Sequence, residues 1–453
     1  MSAERPFAGR RLHFVGIGGA GMSGLALIAA QLGADVTGSD RAQSPYTDRL
    51  RASGIEPAIG HDAANLPAGA EVVVSTAIPP DNPQLAAAHA AGTPVIHRGA
   101  LLGELTRLKR SIAIAGTHGK TTTCGMAAHV LRATGRDPAF VIGGELRSAG
   151  TNATWGSGDW IVAEADESDR SFLELARDVA VVTNVELDHH ATYGSLADLQ
   201  ATFAQFIAPA ELCVAWEPAA ASVSPGPPPT PCTLTYGIDQ GDLRAENVQL
   251  RPMGARFTVD GIAVELNVPG EHNVLNALAA LAASRAAGVD LAEAAPAIAG
   301  FDGTGRRFEA RGATALGARV YDDYAHHPTE VRATLAAART LDARRIVACF
   351  QPHLYSRTRE LAREFGCALT LADVIVVVDV YPARERAEDF PGVSGLLVAE
   401  AAADAAPGRP VWWLPAIDDA ARMLAERLGE GDVLLTLGAG NVDDLATLLT
   451  EDA

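Results

Sequence analysis

Short apolar runs rich in β-branched residues alternate with helix-like stretches along this chain of 453 residues. The predicted strands are Leu12–Ile17, Ala34–Thr37, Glu71–Thr76, Pro94–His97, Ser111–Ala115, Trp160–Ala163, Val179–Thr183, Arg319–Tyr321, Ile346–Phe350, Val374–Val378 and Val433–Leu437. Such alternation is typical of parallel sheets whose strands are joined by crossover helices. The length limits the number of domains, because a domain usually holds roughly 100–200 residues. We therefore predict an α/β protein of three units, over residues 1–108, 109–307 and 308–453.

The composition excludes several classes of protein. Hydrophobic residues make up 48% of the chain and the net charge is −19, so the chain can build a core but lacks the basic surface that broad nucleic-acid binding needs. The N-terminus lacks the apolar segment of a signal peptide, and no stretch reaches the roughly 18 apolar residues of a membrane span. The five cysteines include no C-x-x-C pair, which argues against a zinc or redox motif. We expect a cytoplasmic protein without nucleic-acid or membrane partners, and the sequence leaves its oligomeric state open.

A first glycine loop follows the first predicted strand. The segment Gly16-Ile-Gly-Gly-Ala-Gly21 contains G-x-G-x-x-G between a strand and a helix-like stretch. Glycines let the backbone approach an anion, and the helix N-terminus adds free N–H groups. Asp40 lies 19 residues after Gly21, close to the ribose-binding offset of dinucleotide sites. The loop predicts binding of NAD, FAD or another diphosphate; the alternative is a turn that uses glycine only for packing.

A second glycine loop follows the strand Ser111–Ala115. The segment Gly116-Thr-His-Gly-Lys-Thr-Thr-Thr123 resembles a P-loop, although Ile114 stands where the full motif has its first glycine. In such a loop, backbone N–H groups cradle phosphates, the lysine reaches the β and γ oxygens, and the next hydroxyl binds Mg²⁺. Only two of the 36 basic residues are lysines, and we expect Lys109, which precedes the strand, to be solvated. Lys120 is therefore the candidate for phosphoryl transfer.

Carboxylates and histidines follow the next two predicted strands of the central unit. Glu164 comes directly after a strand and is the candidate metal ligand. Its neighbours Asp166, Glu167 and Asp169 are expected to be solvated or to cap a helix. The following strand leads to the segment Asn184-Val-Glu-Leu-Asp-His-His190. Because the carboxyl ends of parallel strands meet at one edge of a sheet, we expect these groups to line one crevice.

Further polar segments accompany helices and strand ends. Asn273 and Asn276 are spaced i,i+3 at the start of a helix and share a face, which indicates either an adenine contact or a simple helix cap. The third unit carries G-T-G-R-R-F-E at 303–309, D-D-Y-A-H-H-P at 322–328 and Q-P-H-L-Y-S-R-T at 351–358. Arginine forks suit carboxylates and phosphates, so arginines at strand ends are candidate anion contacts, whereas most others are expected to be solvated.

Together these motifs resemble the Mur ligases, ATP-dependent enzymes that add amino acids to the nucleotide-linked peptidoglycan precursor. G-T-H-G-K-T-T-T, E-A-D-E-S-D, the D-H-H stretch, G-E-H-N-V-L-N-A, G-R-R-F-E, D-D-Y-A-H-H-P-T-E and Q-P-H-L-Y-S-R-T occur in the family's order over nearly the whole chain. The resemblance implies a Rossmann-like N-terminal domain (1–108) that binds a UDP substrate and a central P-loop-type ATPase sheet (109–307) that holds ATP. It also implies a Rossmann-like C-terminal domain (308–453) that binds the amino acid and closes. The resemblance therefore implies that the first glycine loop binds the diphosphate of UDP and not NAD.

Within the family, G-I-G-G-A-G-M-S-G and the last two segments are typical of the member that joins L-alanine to the lactyl carboxylate of UDP-N-acetylmuramate. That activity implies ATP, UDP-N-acetylmuramate and L-alanine as partners, two Mg²⁺ ions, an acyl phosphate intermediate and ADP as a product. One alternative is a ligase that recycles a murein tripeptide onto the same substrate. Alternatives of other classes are an NAD(P)-dependent oxidoreductase and a non-catalytic nucleotide sensor.

The resemblance also implies a role for each candidate residue. The UDP-substrate contacts would be Gly18, Gly19, Ala20, Gly21, Met22, Ser23 and Asp40. The ATP contacts would be Gly116, Thr117, His118, Gly119, Lys120, Thr121, Thr122, Asn273, Asn276, Arg307 and Asp323. The metal ligands would be Thr121, Glu164 and His189, and the amino-acid site would hold Tyr324, His326, His353 and Arg357. The catalytic residues would be Lys120, Glu164, His189, His353 and Arg357.

This chain departs from the wider family in its lysines. Several sister ligases support the second metal with a carbamylated lysine, but no lysine follows Lys120 here. That device is excluded, so the second metal would rest on His189, substrate oxygens and water.

Overall fold

The computed structural model describes residues 5–189, 192–223 and 232–450. His190 and the proline-rich segment 224–231, to which the sequence assigns no function, lie outside the described residues. The chain forms two compact units. The first comprises residues 1–245, 259–262 and 275–301, and the second comprises residues 246–258, 263–274 and 302–453.

The described residues form alternating strands and helices. The strands are β1 (Arg11–Val15), β2 (Asp35–Asp40), β3 (Ala58–Ile59), β4 (Glu71–Val74), β5 (Val95–His97), β6 (Arg110–Ala115), β7 (Ala139–Leu146), β8 (Thr151–Thr154), β9 (Trp160–Glu164), β10 (Val179–Val182), β11 (Leu212–Trp216), β12 (Cys232–Ile238), β13 (Leu243–Arg251), β14 (Gly254–Val259), β15 (Ile262–Leu266), β16 (Glu309–Ala313), β17 (Arg319–Asp323), β18 (Arg345–Phe350), β19 (Val374–Val377), β20 (Val411–Trp413) and β21 (Asp432–Leu437). The α-helices are α1 (Ala20–Gln31), α2 (Pro45–Ala52), α3 (Pro83–Ala90), α4 (Arg98–Thr106), α5 (Lys120–Ala133), α6 (Leu196–Ile207), α7 (Glu217–Val223), α8 (Glu271–Ala286), α9 (Leu291–Ile298), α10 (Pro328–Ala338), α11 (Tyr355–Leu369), α12 (Leu396–Ala405), α13 (Ile417–Arg427) and α14 (Asp443–Thr450).

The first sheet is parallel and has the strand order β3-β2-β1-β4-β5. Its central strand β1 is buried over its last four residues, as its apolar sequence requires. The strand order changes direction beside β1, which leads directly into the first glycine loop. In open α/β sheets, ligands bind beyond the carboxyl ends of the strands at such a switch point. The topology therefore places the first glycine loop where a ligand crevice is expected.

The central sheet of the first unit has the order β12-β11-β10-β6-β9-β7-β8. Its described pairs are parallel except for β7 with β8 at the edge. β6 is buried over its last five residues and lies between β9 and β10. In this register Ile114 pairs with Glu164, and Ala115 pairs with Val182. The segments that follow these three strands therefore emerge at the same edge of the sheet.

The two sheets of the first unit share one hydrophobic core. Met22 and Leu25 of α1 are buried with Val141 and Ala153 from β7 and β8. A Cβ built on Gly24 would lie only 3.0 Å from the Cβ of Ala153, so glycine permits this close approach. The packing fixes the position of α1, and hence of the first glycine loop, on the central sheet.

The second unit contains a sheet of order β16-β17-β21-β18-β19-β20. Only β16 among its described strands is antiparallel to its neighbour. The central strand β21 is buried throughout. Val331 and Leu335 of α10 and Phe365 of α11 pack against one face of the sheet. In the same unit, β13 and β14 pair as an antiparallel hairpin.

The structure confirms the α/β class, and every predicted strand overlaps an observed one. The hydrophobic pattern does not predict β7, β8 or β11. β7 contains Gly143 and Gly144, which lower its strand signal. None of the described helices is long and apolar enough to cross a membrane.

Asp432, at the start of β21, is a buried carboxylate of the second unit that pairs with two exposed arginines, Arg344 and Arg345. Its carboxylate accepts hydrogen bonds from Nη2 of Arg344 at 2.9 Å, Nη2 of Arg345 at 2.6 Å and the N–H of Gly429 at 3.1 Å. Burial alone would raise the pKa of Asp432, but the two arginines and the backbone N–H lower it to about 2.

We expect Asp432→Asn to lower the free energy of unfolding near neutral pH by about 2–4 kcal/mol, because two guanidinium groups lose their buried partner. A lowered pKa stabilises the fold above the ordinary value of 3.8, and this stability is lost as the pH falls to about 2. The difference between variant and wild type should therefore shrink across that range. Urea unfolding at a series of pH values measures it.

The matched control is Glu360→Gln, which removes an ion pair of 3.1 Å between two half-exposed side chains, Arg359 and Glu360. We expect a loss below about 0.5 kcal/mol for this control. Equal losses in the two variants would contradict the importance of the buried carboxylate.

Candidate active site

The second glycine loop joins β6 to α5. Gly116 and Gly119 have φ values of +139° and +81°, and Gly119 caps the N-terminus of α5. A Cβ built on Gly116 would lie 2.0 Å from Oγ1 of Thr183, and one built on Gly119 would lie 2.4 Å from Oδ1 of Asn276. Glycine is therefore required at both positions by backbone conformation and by close contacts. The free N–H groups at the start of α5 remain available for an anion.

Lys120 is the first residue of α5, and its ammonium group is held from several sides. Nζ donates to the carbonyls of Gly116 at 2.6 Å and Thr117 at 3.2 Å, and it lies 2.8 Å from Oε2 of Glu167. Burial alone would lower the pKa of Lys120, but Glu167 and Asp166 outweigh it and hold that pKa above its usual value. The ammonium group is therefore charged and oriented by the protein itself.

Glu167 differs from the sequence-based expectation. Its side chain is 1% exposed and pairs with Lys120, so the expectation that it is solvated is wrong. The cause is a 3-10 turn after β9 that folds this segment back towards the P-loop. Asp166 does cap that turn, as predicted, because its side chain accepts from the N–H of Ser168 at 3.0 Å. In the sequence, Glu167 is visible only as one of the acidic residues in the segment 164–169 that follows the strand.

The other lysine has a different role. Nζ of Lys109 donates to the carbonyl of Gly156 at 2.9 Å and to that of Gly158, and it lies 4.8 Å from the ring centroid of Trp155. The expectation that Lys109 is solvated is therefore wrong. It stabilises the turn between β8 and β9.

Thr121 and Glu164 form an oxygen pair beside the P-loop. Oγ1 of Thr121 donates to Oε1 of Glu164 at 2.9 Å, and the N–H of Gly143 donates to Oε2 at 2.7 Å. The backbone contact orients the carboxylate towards α5. Hydroxyl and carboxylate oxygens are ligands that Mg²⁺ prefers, so this donor set fits such an ion. The metal role of both residues stays a prediction.

His189 lies near Glu167 at the end of β10. Its φ is +55°, and its N–H donates to Oδ1 of Asp188 at 2.7 Å. Nε2 lies 3.4 Å from Oε1 of Glu167. Burial alone would lower the pKa of His189, but Glu167 and Asp188 raise it above its usual value. The structure thus brings Lys120 and His189 to the same carboxylate, and the role of His189 as a metal ligand stays a prediction.

The segment after β10 also supports the glycine loop. Oδ1 of Asn184 accepts from the N–H of His118 at 2.8 Å, and its Nδ2 donates to the His118 carbonyl at 3.0 Å. The hydroxyl of Thr117 donates to the carbonyl of Glu186 at 2.9 Å. Asn184 opens the polar segment singled out from the sequence after this strand, but no role of its own was predicted for it.

The two asparagines that were predicted to face adenine make different contacts. Oδ1 of Asn276 accepts from the hydroxyl of Thr123 at 3.2 Å, next to Gly119. Nδ2 of Asn273 donates to the carbonyl of Pro269 at 2.7 Å. Both side chains are buried. Asn276 therefore reaches the P-loop, and the adenine contacts of both residues stay predictions.

Asp40 holds the first glycine loop. Its Oδ2 accepts from the N–H of Gly18 at 2.8 Å, so this carboxylate reaches the loop itself. Ser23 donates to the carbonyl of Ala20 at 3.0 Å, and Met22 lies in the core. The side chains of Met22 and Ser23 are buried, and the N–H of Ser23 donates to the carbonyl of Gly19 at 2.8 Å. The UDP contacts of this loop stay predictions.

In the second unit, Tyr324 lies beside two arginines. The guanidinium carbons of Arg306 and Arg307 are 5.2 Å and 5.1 Å from its ring centroid. The neighbouring carboxylate of Asp323 accepts from two backbone N–H groups, each at 2.8 Å. Burial raises the pKa of Asp323 to about 6 although Arg307 opposes this shift. The predicted nucleotide contacts of Arg307 and Asp323 are not tested by this geometry.

The structure brings together the four residues of the predicted amino-acid site. The rings of His326 and His353 are 5.9 Å apart, and Tyr324 meets His326 edge-on at 5.4 Å. Nη1 of Arg357 lies 3.3 Å from Nδ1 of His353. Tyr381, which is not among the predicted residues, stacks on His353 at 5.8 Å. Like the other candidates, Tyr381 closely follows a strand, and that position was its signal.

Three family models match successive parts of the chain. Residues 11–110 match the Mur ligase family, catalytic domain; residues 114–284 match the Mur ligase middle domain; and residues 306–440 match the Mur ligase, glutamate ligase domain. The chain is 46% identical to the UDP-N-acetylmuramate–L-alanine ligase of Acidithiobacillus ferrooxidans, over 96% of both proteins. It is also 46% identical to the enzyme of the same name from Streptomyces coelicolor, over 100% of this chain and 99% of the relative.

The chain is also similar in fold to solved structures of such ligases. The crystal structure of the UDP-N-acetylmuramate-alanine ligase of Thermotoga maritima matches with a TM-score of 0.84 and 30% identity, over 98% of both chains. A murein peptide ligase from Psychrobacter arcticus matches with a TM-score of 0.74 and 25% identity, again over 98% of both chains. The predicted three-domain α/β fold is thereby confirmed. By sequence and by fold, this chain belongs to the Mur ligase family.

Proposed function

We propose that this protein is an ATP-dependent ligase that joins L-alanine to the lactyl carboxylate of UDP-N-acetylmuramate, the first amino-acid addition to the peptidoglycan precursor. The observation that carries the proposal is Lys120, whose side chain is 13% exposed and is held at the P-loop by Glu167 beside the Thr121–Glu164 pair. Identity of 46% to ligases of this name, over 96% of the chain, supports the same substrates. No observation favours the oxidoreductase or the sensor.

The chemistry requires activation of a carboxylate, because a carboxylate does not react with an amine at neutral pH. The lactyl carboxylate attacks the γ-phosphorus of ATP, the bond to ADP breaks, and an acyl phosphate forms. The neutral amine of alanine then attacks the acyl carbon, phosphate leaves, and the nitrogen loses a proton. Both reactants of the first step are anions, so catalysis depends on positioning and on neutralising charge.

The residues of the first unit are suited to that first step. Lys120 would stabilise the transferring phosphoryl group, and Glu167 keeps the ammonium oriented so that little reorganisation is needed. Thr121 and Glu164 would hold one Mg²⁺ ion, and His189 would hold a second. When bound, these ions would neutralise charge on the phosphate oxygens.

Each predicted domain would hold one substrate. Residues 1–108 would bind the UDP group, residues 109–307 would bind ATP, and residues 308–453 would bind alanine. Arg357, placed 3.3 Å from His353, offers a guanidinium group that suits the alanine carboxylate, and the rings of Tyr324 and His326 lie beside this pair. Arg307 and Asp323 would contact the nucleotide. A cytoplasmic location is part of this proposal.

A phosphate-release assay tests the substrates. We expect release from ATP and UDP-N-acetylmuramate to depend on L-alanine, because only the amine discharges the acyl phosphate. Parallel reactions contain glycine, L-serine or a murein tripeptide in place of alanine. Release that depends strictly on the tripeptide would contradict the proposal and favour the recycling ligase, and turnover without ATP would contradict both.

Lys120→Ala should reduce ADP formation by at least about 10²-fold, because the oriented cation beside the phosphates is lost. Binding of UDP-N-acetylmuramate should persist. Chromatography measures ADP, and calorimetry measures substrate binding.

Lys109→Ala is the matched control, since Lys109 is the only other lysine and is also held by backbone carbonyls. It should keep ADP formation within about threefold of wild type at temperatures where it is folded. Near wild-type turnover of Lys120→Ala would refute the P-loop assignment.

Glu164→Gln should raise the Mg²⁺ concentration for half-maximal ADP formation by about tenfold or more, because a neutral amide is a weaker ligand than a carboxylate. The control is Glu174→Gln, which alters an exposed carboxylate further along the same segment. Mg²⁺ titrations of both variants measure the effect. Superimposable titration curves for Glu164→Gln and wild type would exclude Glu164 as a metal ligand.

A further inference from the structure

Arg98, the first residue of α4, pairs with the acidic segment that follows β9. Its Nη2 donates to Oδ2 of Asp166 at 2.6 Å and to Oδ2 of Asp169 at 3.5 Å. Burial alone would lower the pKa of Arg98, but the two aspartates hold it above its usual value. Arg98 directly follows the predicted strand Pro94–His97 but is not among the predicted site residues.

Neighbouring contacts fix the start of α4. Nδ1 of His97 accepts from the N–H of Gly99 at 3.2 Å and so caps the helix, while Nε2 lies 3.5 Å from Oδ2 of Asp169. A Cβ built on Gly99 would lie 2.4 Å from the Cβ of Ser171. The backbone that carries Arg98 is therefore packed directly onto the acidic segment, and the position of its side chain is restricted.

The other arm of the guanidinium group lies at the first glycine loop. A Cβ built on Gly21 would lie 3.5 Å from Nη1 of Arg98. Among the described residues, both hydrogen bonds of this guanidinium group use Nη2, and the side chain is 22% exposed. Gly21 belongs to the first turn of α1, where free N–H groups and the helix dipole attract an anion. Nη1 adds a hydrogen-bond donor of a cationic group at that point, while Asp166 and Asp169 offset the charge of the group on its other side.

Arg98 is also linked to the phosphoryl-transfer lysine through Asp166. Burial alone would raise the pKa of Asp166, but Arg98 and Lys120 together hold it well below its usual range. Asp166 caps the turn that carries Glu167, and Glu167 pairs with Lys120 at 2.8 Å. One short acidic segment therefore orients both cations.

We propose that Arg98 is a substrate-binding residue whose Nη1 contacts the diphosphate of the UDP-sugar while Asp166 and Asp169 hold Nη2. A guanidinium group already held by carboxylates loses little conformational freedom when it binds a phosphate. The same contact links the occupied glycine loop to the segment that orients Lys120. This inference rests on the proposed function, because it takes the first glycine loop as the diphosphate site.

Arg10 provides a matched comparison for a purely structural arginine. It also bridges two carboxylates, Glu71 at 2.8 Å and Glu104 at 2.5 Å, and its side chain is 23% exposed. Its Nη1, Nη2 and Nε all donate to these partners. Arg10 therefore has the charge, exposure and pairing of Arg98, but its Nη1 is already engaged.

The test is calorimetric binding of UDP and of UDP-N-acetylmuramate to the full chain, without ATP or alanine, for wild type, R98Q, R98K and R10Q. UDP probes the diphosphate without the sugar or its carboxylate. We expect R98Q to weaken UDP binding by about tenfold or more and R98K to weaken it less, because a lysine keeps the charge but lacks the fork. R10Q should bind UDP within about twofold of wild type. ATP affinity should fall less than UDP affinity in the Arg98 variants, because Arg98 reaches Lys120 only through Asp166.

Several outcomes would overturn the role of Arg98. These are wild-type UDP affinity in R98Q, equal losses in R98Q and R10Q, or a loss for UDP-N-acetylmuramate that is not seen for UDP. If R98Q does not fold, R98K is the deciding variant. UDP binding that weakens more than ATP binding supports the proposal, and wild-type UDP binding refutes it. Failure of the wild-type protein to bind UDP would instead overturn the assignment of the first glycine loop, and hence the proposed function.

Discussion

The buried pair of Lys120 and Glu167 is the interaction on which the candidate active site depends. An ammonium group with little access to water is stable only if carboxylates and carbonyls replace its hydration. Glu167 and the carbonyls of Gly116 and Thr117 meet that need. The pair requires the turn after β9 to fold back onto the P-loop. The same turn places Glu167 beside His189 and Asp166 beside Arg98. The segments that follow β6 and β9 therefore contact each other through the ammonium group of Lys120, which needs a partner where it has little access to water.

The strongly acidic composition is compatible with anionic substrates because positive charge is concentrated locally. The net charge of −19 describes the whole chain, whereas the P-loop region combines an oriented lysine with the N-terminus of α5. Several carboxylates of this region are used to hold cations in place. Glu167 orients Lys120 and Asp166 orients Arg98. Glu164 hydrogen-bonds Thr121, in a geometry that suits a divalent ion. Acidic residues here position positive charge instead of repelling substrates.

Much of the fold could be predicted because each buried strand of a parallel sheet appears in the sequence as a short apolar run. A strand buried on both faces must be apolar over four to six residues, as β6, β10 and β21 are. The weakest predictions concern edge strands and glycine-containing strands such as β7, whose stability comes from neighbours and not from their own residues. The P-loop was equally visible, since glycines, a lysine and a hydroxyl at fixed spacing record a requirement of the local backbone.

The sequence by itself predicted most of the order of strands and helices, the two glycine loops, the family and the candidate for the phosphoryl-transfer lysine. These are properties of short segments, in which hydrophobic periodicity and backbone conformation act over a few residues. Only the tertiary structure decided which charges meet. Glu167 and Lys109 were both expected to be solvated, yet one holds the active-site lysine and the other holds a turn. The pairing of Arg98 gave no signal, although Arg98 directly follows a predicted strand, because its partners Asp166 and Asp169 are 68 and 71 residues away and meet it only when the two sheets of the first unit pack together. Burial and pairing of charged groups depend on such distant contacts, and a linear pattern does not contain them.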